Sequence, residues 1–199
     1  MPFDLATGTF IVDQIAAWAA AKQCAPARLL AGEGGFVEWA HYPHQDATDP
    51  VSGWRFYYHT HNQTQRPRAE HGHFHIFVPA PGGQFSHLIA LSVDEKGLPL
   101  RLFTTNRWVT GECWQPAAAL IAQLAEPALG HAAPRDVGQW LAALLRLYHD
   151  EIAALLHARD ARLGNAPARL EDRRLRLPSR RRITLAHKLS QAGEDPPKT

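Results

Sequence analysis

The sequence predicts an α+β fold: a central antiparallel sheet of about five strands flanked by an N-terminal helix and C-terminal helices. Three observations lead there. Apolar residues recur at helical spacing near the N-terminus and again after Trp114. Between these regions the period drops to two, in segments rich in aromatic and β-branched residues. The links between those segments are short, whereas parallel crossovers need a dozen residues or more.

The elements follow in order. Residues 8–22, GTFIVDQIAAWAAAK, put Ile11, Ile15, Trp18 and Ala19 on one helical face, and Gly34-Gly35 breaks the chain after it. Strands are expected in FVEWAHYP (36–43), GWRFYYHTH (53–61), HGHFHIFVP (71–79), SHLIALSVD (86–94) and LRLFTTNRWV (100–109). PAPGGQ and DEKGLP, the latter with Gly97 and Pro99, are turns. A short helix starts at Pro116, and a long one of about 28 residues runs from Pro134 to a stop at Gly164. Residues 1–165 are expected to form a single α+β domain with a histidine-rich sheet; residues 166–199 form a basic C-terminal extension, partly disordered, with a polar tail from Gly193.

Composition narrows the function classes. The chain has 199 residues, 45% of them hydrophobic, and a net charge of +2, so global charge selects no partner. No apolar run reaches the length of a membrane span, and no secretory leader is evident. Two cysteines, Cys24 and Cys113, make no disulfide framework, and a reducing cytoplasm is the expected location. The stretch Arg169–Lys188 is strongly basic but lacks the aromatic residues that stack on bases. It is expected to be a solvated or subunit-wrapping segment, in preference to a nucleic-acid-binding one, and dispensable for the central site.

The main anomaly lies in the second and third strands. Side chains alternate between the two faces of a strand. Trp54, Phe56, Tyr58 and Thr60 then share one face, and Arg55, Tyr57, His59 and His61 the other. In the next strand Gly72, Phe74, Ile76 and Val78 share one face, and His71, His73, His75 and Phe77 the other. If the two strands pair and both apolar faces enter one core, both histidine faces are forced together, with facing Cβ atoms roughly 4.5–5.5 Å apart. Imidazoles on adjacent strands can then reach one ion. His59, His61, His73 and His75 are the metal-ligand candidates, three of the four at a time, and His71, near the strand end, is a weaker one. Clustered imidazoles disfavour each other's charging, and a divalent cation that takes them neutral removes that conflict. A nitrogen-rich set without thiolates suits iron or zinc foremost, with copper, manganese or nickel also compatible.

Around this cluster, Tyr57, Glu70, Asn106 and Arg107 are candidate catalytic groups, and Thr104 a pocket residue. Glu70 is off-phase with the histidines and can serve as a ligand only if the strand begins after it, or from the loop as a partner or base. Asn is depleted in strands, so Asn106 invites a polar role, and Arg107 can clamp a carboxylate or phosphate. HYPHQDATDP, with His41 and His44, can supply a further ligand, a lid or simply a turn.

Three resemblances attach to these motifs. The succession HYPHQDATDP, YYHTH, EHGHFHIF and GLPLRLFTTNRWVTGE resembles a family of uncharacterised bacterial proteins, a domain of unknown function, which implies a boundary but no activity. HGHFHIF resembles the histidine-triad pattern of nucleotide hydrolases and transferases, which implies that His73 attacks phosphorus without a metal; the second pair, His59 and His61, is not part of that pattern. The His-x-His spacing on a strand is also similar to that of cupins, which implies bound iron, manganese or zinc. The leading expectation is a transition-metal-binding protein, a metal-dependent enzyme of non-heme iron or zinc acting on a small-molecule substrate. The alternatives are a metal-free histidine-triad-like nucleotide hydrolase or transferase, and a metal or haem carrier without catalysis.

Overall fold

The computed structural model describes residues 5–31, 33, 37–62, 64, 66–164 and 166–192. Helices α1 (Leu5–Ala20) and α2 (Ala25–Leu30) precede strands β1 (Tyr42–Thr48), β2 (Arg55–His59), β3 (Gly72–Ala80), β4 (Gln84–Val93) and β5 (Pro99–Phe103). Helices α3 (Arg107–Thr110), α4 (Ala117–Leu124), α5 (Arg135–Leu147), α6 (His149–Leu163) and α7 (Pro167–Leu170) follow, then strand β6 (Arg180–Arg182) and helix α8 (Leu185–Ala192). The strands form one antiparallel sheet in the order β1-β2-β3-β4-β5-β6. The fold is α+β, as the periodicity requires.

The sheet has two unlike faces. Phe56, Tyr58, Phe74, Ile76, Val78, Ile89, Leu91, Val93 and Leu102 join the apolar core with Trp140, Leu141, Leu144, Tyr148 and Ile152 of the helical layer. The Phe74 ring meets the Trp140 ring at 5.9 Å, and Trp18 of α1 meets Trp140 from the far side at 5.6 Å. Trp18 Nε1 also donates to Asp136 Oδ2 at 2.9 Å, an acceptor shared with Arg28, which fixes α1 and α2 on the start of α5. The opposite sheet face carries the histidines.

Several elements differ from the sequence expectation. The first strand lies in YPHQDAT rather than in 36–43. Val37 and Trp39 are exposed, while Tyr42 and Ala47 are the buried anchors. The polar residues between those anchors are accommodated because β1 is an edge strand whose register slips between Tyr42 and Ala47. Gly34, Gly35 and Phe36, and the tail 193–199, lie outside the described residues. The last predicted strand stops at Phe103, and residues 107–110 turn into α3. The long C-terminal helix is divided at Tyr148, whose φ of −102° and ψ of 21° leave the helical region. Gly164 caps α6 as expected. The basic stretch contributes β6, a three-residue edge strand of exposed arginines whose composition gives no alternation to detect.

Glycine at position 72 has a packing reason. A Cβ there would press on the Tyr58 hydroxyl and approach the His59 carbonyl oxygen at 2.6 Å. The neighbouring strand can sit this close only because the side chain is missing. Gly72→Ala is therefore expected to destabilise the protein by roughly 1–3 kcal/mol, the usual range for overpacking. Chemical denaturation with unchanged m-value checks this; a variant as stable as the parent contradicts the close approach.

Candidate metal centre

The β2–β3 register builds the site directly. His59 pairs with His73, Tyr57 with His75 and Arg55 with Phe77, so the two histidine faces coincide. Among the described residues, His59, His73 and His75 form the group whose donor atoms all lie within 4.8 Å of one another. The Nε2 atoms of His59 and His73 are 2.8 Å apart. Two donors on one ion at 2.0–2.1 Å are about 2.9–3.4 Å apart for bond angles between 90° and tetrahedral, so these two rings need little movement to share a cation.

Each of the two inner rings is oriented from behind. Glu70 Oε1 sits 2.9 Å from His73 Nδ1, and Arg101 Nη2 donates to Glu70 Oε2 at 2.8 Å. With Nδ1–H given to the carboxylate, the His73 lone pair lies on Nε2, toward His59. His75 Nδ1 contacts His87 Nε2 at 3.0 Å, and His87 Nδ1 contacts Thr105 Oγ1 at 3.1 Å. This leaves Nε2 as the His75 nitrogen not engaged by His87. Glu70 is thus a hydrogen-bond partner whose two oxygens are committed to His73 and Arg101.

His87 was not among the sequence candidates, and the reason is a β-bulge. Strict alternation along β4 places His87 with Ile89, Leu91 and Val93 on the core face. The β3–β4 register instead runs Ile76 to Ile89 and then Phe77 to His87, with Leu88 as the extra residue. That slip transfers His87 to the histidine face. It also takes the His87 backbone N–H out of the ladder, and Glu112 Oε2 accepts it. Burial pushes the Glu112 carboxyl up to about 8.

The remaining sequence candidates divide. His61 is buried near the trio, but its ring stacks on Trp39 at 4.2 Å and its Nε2 faces Arg176 at 3.4 Å. Tyr57 lines the pocket, with His41 stacked on its ring at 3.6 Å, and burial raises its phenol above the ordinary range, so it stays protonated. His71 precedes β3 and turns its Nδ1 to the Tyr58 hydroxyl, away from the cluster. His44 contributes its backbone N–H to Glu33 at 3.5 Å and does not line the pocket. Asn106 and Arg107 also fall outside it. Asn106 is the N-cap of α3: its side-chain oxygen accepts the Arg107 N–H at 2.8 Å, and its amide donates to the Arg169 carbonyl at 2.8 Å. Arg107 pairs with Glu171 at the half-exposed surface. The strand turns into a helix at this point, which breaks the alternation the sequence suggested. Thr104 bonds Ser179, and its neighbour Thr105 lines the pocket.

The cluster opens into a pocket of about 540 Å³, within the range for small-molecule sites. His41, His59, His61, His73 and His75 line it with Tyr57, Phe103 and Trp39; Arg176, Leu177 and Arg180 of the basic stretch complete the rim. The segment expected to be dispensable is therefore part of the pocket wall. Burial, then neighbouring imidazoles, lowers His59 to about 2; burial and His73 lower His61 to about 4; burial and Arg159 lower His87 to about 3. His75 is held well below its ordinary value by burial and by His73 and His87. Burial also lowers His73, against the opposing pull of Glu70.

Fold and site define an α+β protein with a buried histidine cluster able to hold a metal ion. Residues 5–183 match the family described as a domain of unknown function, DUF6969, and the chain belongs to that family. Comparison with the curated proteins and with the solved structures gave no match. No helix among the described residues is long and apolar enough to cross a membrane.

The depressed imidazoles set a pH dependence. Below the ordinary value of 6.5 the unfolded chain takes up protons that folded His59, His75 and His87 refuse, so stability falls as the pH drops toward their folded values. Each fully neutral histidine contributes up to about 1.4 kcal/mol per pH unit. The thermal midpoint of the metal-free protein is expected to decline steeply between pH 6.5 and 5, where the three histidines outweigh the opposing effect of Glu112, and to fall modestly between pH 7 and 8 as that raised carboxyl gives up its proton. A midpoint unchanged down to pH 5 contradicts a neutral buried cluster.

Proposed function

We propose that the protein is a metal-dependent enzyme whose ion is held by His59, His73 and His75. The observation that carries this is the convergence of these donors at the base of a pocket large enough for a small-molecule substrate. Three neutral imidazoles leave a divalent ion with its full charge and at least one open position, where water, oxygen or a substrate atom can bind. Zinc there would generate hydroxide near neutral pH for hydrolysis; ferrous iron would support oxidative chemistry. An all-imidazole set suits iron and zinc, and copper and nickel as well. Glu70 supports the reading because it fixes His73 in the metal-binding tautomer, the arrangement typical of ligand histidines. Neutral ligands also favour binding, since no proton must be displaced at physiological pH. Cys24 and Cys113 are free thiols, in keeping with a reducing cytoplasm.

The untagged wild type is expected to carry about one ion per chain. His59→Ala, His73→Ala and His75→Ala should each lower metal retention by more than the roughly tenfold that loss of an outer partner of a ligand already costs, while His61→Gln retains it. Elemental analysis after dialysis against a weak chelator reads this out. Failure of the wild type to take up Fe(II), Zn(II) or Cu(II), or a phosphohistidine trapped at His73 in metal-free protein, contradicts the proposal and favours a nucleophilic His73.

A further inference from the structure

The metal trio leaves the charge of the pocket unexplained. Among the described residues, four arginines, Arg66, Arg101, Arg176 and Arg180, line it together with a single carboxylate, Glu70. Two of the four are committed. Arg101 donates to Glu70 at 2.8 Å and lies over the Phe103 ring at 4.8 Å. Arg66 donates to Thr60 Oγ1 at 2.9 Å and to the His71 carbonyl, closing the 60–71 loop. Among the described residues, the Arg176 guanidinium faces the His61 ring nitrogen, at 3.4 Å, and no carboxylate. Among the described residues, Arg180 has no side-chain ion pair. Imidazoles carry no negative charge and so cannot balance either cation.

The segment bearing these two guanidinium groups is fixed. The Arg176 carbonyl accepts the Asn106 N–H at 3.0 Å, and the Ser179 carbonyl accepts the Thr104 N–H at 3.0 Å. Ser179 Oγ bonds Thr104 Oγ1 at 2.7 Å and donates to the Leu155 carbonyl at 2.8 Å. Arg180 then pairs with Phe103 across β5 and β6. This strap gives Asn106 its function: it anchors the wall instead of touching the pocket. Two guanidinium groups that meet no carboxylate among the described residues, held on an anchored segment, are suited to oxyanions, which they bind in forked geometry.

We propose that Arg176 and Arg180 form an oxyanion subsite for the carboxylate or phosphate of a small-molecule substrate, whose remainder lies along Phe103 and Tyr57 toward the histidine trio. The direction of the substrate rests on the metal-site proposal; the oxyanion subsite itself does not. The pocket volume of about 540 Å³ suits a small molecule rather than a polymer.

Isothermal titration of the full untagged chain tests this, with inorganic phosphate and benzoate as probes and benzamide as the neutral control. Metal content is measured on the same samples, before and after chelation. At least one anion is expected to bind with a dissociation constant of about 1 mM or tighter, and benzamide much more weakly. Arg176→Gln/Arg180→Gln should weaken anion binding about tenfold or more with metal content unchanged. If that double variant does not fold, exposed Arg180 is tested alone: Arg180→Gln should weaken binding and Arg180→Lys should recover part of it. The preferred probe identifies the acid group. No anion binding, binding indifferent to both arginines, or binding only to a mixed-sequence oligonucleotide overturns the subsite. Arginine-dependent anion binding in a protein that takes up no metal supports the subsite and contradicts the metal proposal alone.

Discussion

Phe56 and Tyr58 on β2 and Phe74 and Ile76 on β3 enter one core, and the two-residue period of a strand then leaves no choice about the other face. His59 is set against His73, and Tyr57 against His75, by the burial of residues that do no chemistry. A slip of β2 by one residue would carry Phe56 and Tyr58 to the histidine face and turn His59 into the apolar core. The metal centre therefore shares its geometric foundation with the stability of the sheet. Gly72 extends the coupling, because the approach of β3 to Tyr58 depends on its missing side chain.

Burying imidazoles is costly unless each has a partner, and the structure supplies one behind each inner ring. Glu70 and Arg101 stand behind His73; His87 and Thr105 stand behind His75. The bulge at Leu88 brings His87 into that second row, and Glu112 takes the amide it releases. Arg176 and Arg180 stand instead at the exposed mouth of the pocket. One region thus combines neutral nitrogen donors at depth with positive charge at the rim.

The sheet and most of the cluster were legible because alternation is a local signal: the phase of His59 and His61 against His73 and His75 follows from counting. What alternation cannot show is where it fails. His87 lay hidden because a bulge reverses its face. Asn106 and Arg107 seemed to extend a strand because nothing in TTNRWVTG marks the helical turn except Asn106 itself, a good N-cap. The edge strands β1 and β6 escaped because an edge can be polar or charged and still pair through its backbone. Glu70 was suggestive by its neighbours, yet its role follows from Arg101, which lies on a strand distant in sequence.

X-ray absorption at the edge of the bound metal tests the central claim most directly. Three imidazoles from β2 and β3 predict a first shell with about three nitrogen donors near 2.0–2.1 Å and the outer-shell scattering of histidine rings, lost in the His73→Ala variant. A first shell of oxygen donors without imidazole scattering, or one unaltered by that substitution, would contradict a metal centre on the paired strands.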